Sequence, residues 1–283
     1  MSDQTFRSGA VRGDDRETAG MITPVVARTS SPVAICALIV VMFLGPWLIW
    51  GTRLAQVNGL ISWRLPQGLA LWILLPSVAV TVAVIGGRSA LMDLGRRLIR
   101  WRVPAAAYVA ALATPPAIAF ASVALTGEPV PLGSVMSASG ALVYLLYGIP
   151  LFLLTEEAGW RGAVLPRLQF RSNPLAASLL LGVIWSIWHL PILSIPEEGD
   201  YGISPVGFAV LVISTSVLIT ALVNFARGSV LVVAIFHAVF DATYSYTGVV
   251  GGGSDTLFWT TAGLTACAAV AVTAVTRGRL FAH

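Results

Sequence analysis

Eight long apolar runs, at about 32–50, 67–87, 103–125, 139–165, 174–195, 203–225, 229–248 and 256–275, alternate with short polar breaks along the chain. Each nears or exceeds the roughly 20 apolar residues that cross a bilayer as a helix. None shows the period-two alternation of a barrel strand, so helices remain the way to span. The breaks are turn-like: Gly86-Gly87, Gly127-Glu128-Pro129, Asn173-Pro174, Arg227-Gly228 and Gly251-Gly252-Gly253. The pattern predicts an all-α polytopic membrane protein with about eight transmembrane helices. Residues 1–30 carry no apolar periodicity and read as a disordered cytoplasmic tail. The first apolar run begins at Pro32, too late for a cleavable signal peptide, so it is expected to stay as a span. Residues 31–283 then form a single membrane domain.

One polar break has a pattern of its own. In residues 88–102, Leu91, Leu94, Leu98, Ile99 and Trp101 alternate with Arg96, Arg97, Arg100 and Arg102. That spacing predicts a short amphipathic helix on the cytoplasmic membrane surface. Pro115-Pro116, Pro150 and Pro191 fall inside spans, where each is expected to kink its helix or free a carbonyl. No internal repeat is visible, so an inverted-repeat transporter gains no support.

Composition agrees with a membrane protein and adds an orientation. The chain is 57% hydrophobic and 11% charged, against about 25% charged for a soluble domain. All 17 basic residues are Arg. With the N-terminus inside, four fall in the tail, five in 88–102 and three in 161–171, followed by Arg227, Arg277 and Arg279. Only Arg53 and Arg64 then lie outside. This asymmetry places both termini in the cytoplasm of a multi-pass protein of the cell (plasma) membrane. The loop Pro196–Tyr201, with Glu197, Glu198 and Asp200 and no Arg, falls outside. The basic residues are spread over loops without an aromatic-basic face, which excludes nucleic acid as a partner. Cys36 and Cys267 lie in distant spans and give neither a disulfide framework nor a thiolate zinc site.

The candidate chemistry lies in the few ionisable groups that interrupt the spans, where such groups are costly and usually functional or paired. Glu156, Glu157 and Arg161 share one run. Glu157 and Arg161 are four apart, acid first, the favourable order for a pair on one helix face. Glu156 is then about 100° round the helix, free to act as a general acid or base. His189 lies in a second run, with Trp185 one turn earlier to wall it from lipid. His237 and Asp241 are four apart in a third run, where the acid can orient the imidazole or both can bind a metal. On straight helices, Glu156 is ~14 Å from the cytoplasmic end, His189 ~22 Å, His237 ~12 Å and Asp241 ~18 Å. The expectation is one polar cavity between three helices, open to the cytoplasm.

These residues carry a resemblance. Glu156-Glu157-x-x-x-Arg161-Gly162, Trp185-x-x-x-His189-Leu190-Pro191 and His237-x-x-x-Asp241 resemble the three motifs of the CAAX-protease and bacteriocin-processing family. Its members are intramembrane endopeptidases related to the type II CAAX prenyl endopeptidase. The resemblance covers about residues 85–250 and implies a protease-like core there. It implies that Glu156 activates water with help from His189. It implies that His237 and Asp241 stabilise the oxyanion or bind metal, with Glu157 and Arg161 as structural support. Two positions depart from the pattern. Trp185 stands where Phe is frequent, and Asp241 where the prenyl endopeptidases have Asn. An ionised Asp donates no hydrogen bond but is the better metal ligand. A divalent cation, Zn²⁺, held by His189, His237 and Asp241 is therefore an expected cofactor. The expected partners are the lipid bilayer and a membrane-associated peptide or protein substrate. The rival readings are a proton-coupled transporter and a catalytically silent scaffold of the same fold.

Overall fold

The computed structural model of the chain describes residues 22–127, 132–133, 136–251 and 254–282. Among these residues the regular structure is helical, with no strand. Eight helical segments are long and apolar enough to cross a membrane, and they follow the eight predicted runs. The first is α2 (Pro32–Val57), and the second joins α3 (Leu69–Trp72) to α4 (Leu74–Leu98). Next come α5 (Ala105–Thr126) and then α6 (Ala138–Leu154), which continues through a π-helical turn (Ala158–Val164) into α7 (Leu165–Arg171). The last four are α8 (Pro174–Trp188), α9 (Pro205–Phe225), α10 (Val230–Thr247) and α11 (Asp255–Val275).

Position in the bundle follows from which helices bury their surface. The most apolar stretches of α9 and α10 are 72% and 61% buried, against 22–50% for the other spans, so these two form the centre. α9 packs on α8 and α11, while α10 packs on α5 and α6. Among the described residues the largest buried cluster joins α2, α4 and the π turn to α8, α9 and α10, with smaller clusters beside it, and the outer faces carry large apolar residues toward lipid.

The tail differs from expectation. Residues 1–21 lie outside the described residues, but Pro24–Arg28 form a short helix, α1. Thr23 caps it by accepting from the Val26 N–H at 3.2 Å. Arg167 of α7 then pins its end, donating to the Thr29 carbonyl at 3.2 Å and the Thr29 hydroxyl at 2.9 Å. A five-residue helix is too short to show periodicity in sequence; a distant arginine stabilises it.

The expected amphipathic helix is present. The chain breaks at Gly87 (φ 63°, ψ −160°), a conformation open to glycine, and residues 88–98 resume as helix. Leu91, Ile99 and Trp101 are exposed while Leu94 packs inward. Arg97 also turns inward, paired with Asp93 at 3.0 Å. A proline that sequence reading passed over fastens α2. Pro46 has no N–H for the Met42 carbonyl. The indole of Trp188 supplies the missing donor at 2.8 Å, and Trp47 returns a bond to the Trp188 carbonyl at 2.9 Å.

Candidate active site

The fourth span is not the continuous α-helix expected over 139–165. α6 ends at Leu154, Thr155 adopts φ −111° and ψ −92°, and the wide π turn begins at Ala158. Glu156 and Glu157 occupy the junction. A π turn holds more residues than an α turn and is frequent at functional sites. Here it sits against its neighbours through two glycines. A Cβ on Gly159 would overlap the Met42 side chain of α2, and one on Gly162 would come within 2.5 Å of Leu94. Glycine at both positions lets α2 and α4 close onto the turn.

The two glutamates diverge, as their helical offset predicted. Glu157 is fully buried, and its Oε1 accepts from Arg161 Nη1 at 2.9 Å and from His237 Nδ1 at 2.7 Å. Arg161, also fully buried, stacks its guanidinium on the Trp185 ring at 4.1 Å. Glu156 turns the other way, its Oε2 accepting from Trp185 Nε1 at 3.1 Å. Trp185 thus does more than shield a histidine: it donates to one carboxylate and covers the cation that neutralises the other.

His189 is the C-cap of α8 rather than a mid-helix residue. At a helix end the last carbonyls lack their usual donors. The Trp185 carbonyl is one of these, and His189 Nδ1 lies 2.8 Å from it. A carbonyl only accepts, so Nδ1 carries the hydrogen; in the neutral form of the ring Nε2 then holds the lone pair. His237 is held similarly: its Nδ1 donates to Glu157, and Phe152 stacks on its face with centroids 3.9 Å apart. Its Nε2 lies 3.9 Å from Asp241 Oδ2, beyond hydrogen-bond range, and Asp241 accepts instead from the Tyr144 hydroxyl at 3.0 Å. The motifs did not reveal Tyr144 or Phe152. Both lie on α6, and their roles follow from how α6 packs against α10.

Glu156, His189, His237 and Asp241 all line one cavity of about 390 Å³. Its apolar wall includes Trp188, Phe208, Leu211 and Val212, and its polar wall adds Tyr144 and Thr215. The rim corrects one expectation. Gln67, Gly68, Glu198, Gly199, Asp200 and Val250 line it, all from the end of the bundle that carries Arg53, Arg64 and the acidic loop. The arginine-rich segments 88–102, 167–173 and 226–229 contribute nothing to the lining. The cavity therefore faces away from the arginine-rich side. His189, at the C-terminal end of α8, lies on the same side as the acidic loop that follows it.

Among the described residues no three His, Cys, Asp or Glu side chains gather as a metal-ligand group. The imidazoles of His189 and His237 each place Nδ1 on a protein acceptor, which leaves Nε2 free, as in histidines that bind metal.

Eight candidate membrane spans and a buried cavity lined by carboxylates and imidazoles make a membrane-embedded acid–base site. Comparison with known proteins makes this specific. Residues 138–243 match the family described as type II CAAX prenyl endopeptidase Rce1-like. Over 141 residues the chain is 30% identical to CAAX prenyl protease 2 of Methanococcus maripaludis, an alignment that takes in 44% of this chain. The chain spans about half, 51%, of that relative's length. The matched segment 138–243 holds all three motifs and is similar to the CAAX-protease family.

Proposed function

We propose that this protein is an intramembrane endopeptidase that cleaves a peptide bond of a membrane-associated peptide or protein. The observation that carries the reading is the convergence of Glu156, His189, His237 and Asp241, from three separate spans, on one cavity. In this reading a water lies between the Glu156 carboxylate and His189 Nε2. Glu156 removes its proton as the oxygen attacks the scissile carbonyl. The developing oxyanion is met by His237, whose imidazolium form would be flanked by the Glu157 and Asp241 carboxylates and would turn Nε2–H to the cavity. Glu156 then returns the proton to the leaving amine. Glu157 and Arg161 fix the His237 ring, and Tyr144 fixes Asp241.

The family match favours peptide hydrolysis over proton-coupled transport. The arginine asymmetry supports both termini in the cytoplasm of the cell membrane. With that orientation the cavity rim faces the external side, and the substrate enters from there. The test is cleavage of a membrane-protein peptide library by purified protein, read by mass spectrometry. Glu156→Gln should lower turnover by about 10²–10⁴-fold, the usual contribution of a general base. A variant that cleaves like wild type would refute the assignment.

A further inference from the structure

Resting on the endopeptidase reading, we propose that the cavity takes an extended peptide with a cationic side chain, lysine or arginine, seated between Glu198 and Asp200 at its rim. The rim loop is a folded element. Glu198 N–H donates to the Ile195 carbonyl at 3.0 Å, Tyr201 N–H to Glu198 at 3.1 Å and Gly202 N–H to Leu193 at 3.0 Å. Gly202 adopts φ +78°, which a side chain would strain. The loop carries three acids with different fates. Glu197 is neutralised by Arg53 and, at 3.6 Å, by Arg64. Glu198 and Asp200 instead line the cavity, and among the described residues neither pairs with an arginine.

Charge and hydrogen-bonding capacity inside the cavity agree. Asp241 and Glu156 add two carboxylates, while among the described residues the cavity-lining bases are His189 and His237; Arg161 is committed to Glu157. Asp200 is pushed up to about 7, first by burial and then by the neighbouring carboxylates of Asp241, Glu198 and Glu156. Burial also raises Glu198. A bound cation relieves this crowding of like charge. A second, independent feature points to a peptide. Thr215 lines the same cavity, is 2% exposed, and its hydroxyl has no hydrogen-bond partner in the protein. Buried hydroxyls are normally satisfied, and a peptide backbone would supply the partner. Phe208, Leu211 and Val212 beside it provide apolar surface for the flanking side chains.

The test uses two fluorescent synthetic peptides, apolar and identical except for a central Lys or Gln, binding to full-length Glu156→Gln protein in detergent. The Lys peptide should bind about tenfold more tightly, the scale of a partly desolvated charge pair. Adding Glu198→Gln and Asp200→Asn should erase the difference and leave the Gln peptide's affinity unchanged. Asp200→Glu, which keeps the charge, should retain it. Equal affinities for the two peptides, or a preference that survives the double substitution, would overturn the proposal. Because the preference is read from binding and the endopeptidase reading from cleavage, the two fail separately.

Discussion

Replacing Glu157 by glutamine keeps the side chain's shape and removes its charge. The consequence can be worked from the site. The carboxylate is fully buried and accepts two charge-assisted bonds, from Arg161 at 2.9 Å and His237 at 2.7 Å. In Glu157→Gln the Arg161 guanidinium stays buried on the Trp185 face without the carboxylate that paired with it. Breaking a buried pair from one side typically costs about 3–5 kcal/mol, which is about two to nearly four orders of magnitude in the folding equilibrium. The partner glutamate gives the internal control. In Glu156→Gln the amide oxygen still accepts from Trp185 Nε1, so the fold should hold while turnover falls. Thermal unfolding of both variants in the same detergent, beside peptide cleavage, reads the two effects apart. Glu157→Gln should melt well below wild type and Glu156→Gln close to it. A third variant sharpens the test: adding Arg161→Met to Glu157→Gln should restore part of the lost stability, since the uncompensated charge is then gone. Equal melting of the two single variants would refute the division of labour between the glutamates.

Other expectations follow from the same geometry. If hydrolysis proceeds without a cation, activity should persist in chelator, and Asp241→Asn should keep most of the rate, since the amide still accepts from Tyr144; loss of both with rescue by Zn²⁺ would require a metal site. A reporter fused to the C-terminus should be cytoplasmic and one inserted near Gly199 external; the reverse result would turn the cavity rim to the cytoplasm. Binding of the Lys peptide should strengthen as pH rises through about 7, because Asp200 loses its proton there while the lysine keeps its own; Asp200→Asn should flatten this rise, and an unchanged pH profile in that variant would exclude Asp200 as its source.

Much of the molecule was legible in the chain because bilayer physics leaves few choices. A run of about 20 apolar residues must satisfy its backbone within one helix, so eight runs became eight spans. The charges that interrupted those runs were conspicuous for the same reason, and Glu156, His189, His237 and Asp241 could be named before any packing was known. The i, i+4 spacing of Glu157 and Arg161 also sufficed to pair them. The π turn, by contrast, leaves little mark on spacing, because Glu157 and Arg161 meet in either helix type. It depends on Gly159 and Gly162 meeting α2 and α4, which are distant in sequence. His237 lies near Asp241 in sequence yet bonds Glu157, because an orienting partner is chosen by interhelical packing rather than by position on one helix. Nor could linear counting find the cavity mouth. The polar groups of the cavity lie at the break after α6, at the end of α8 and within α10, and only their three-dimensional assembly shows that the rim is built from the acidic loop, away from the arginine-rich side.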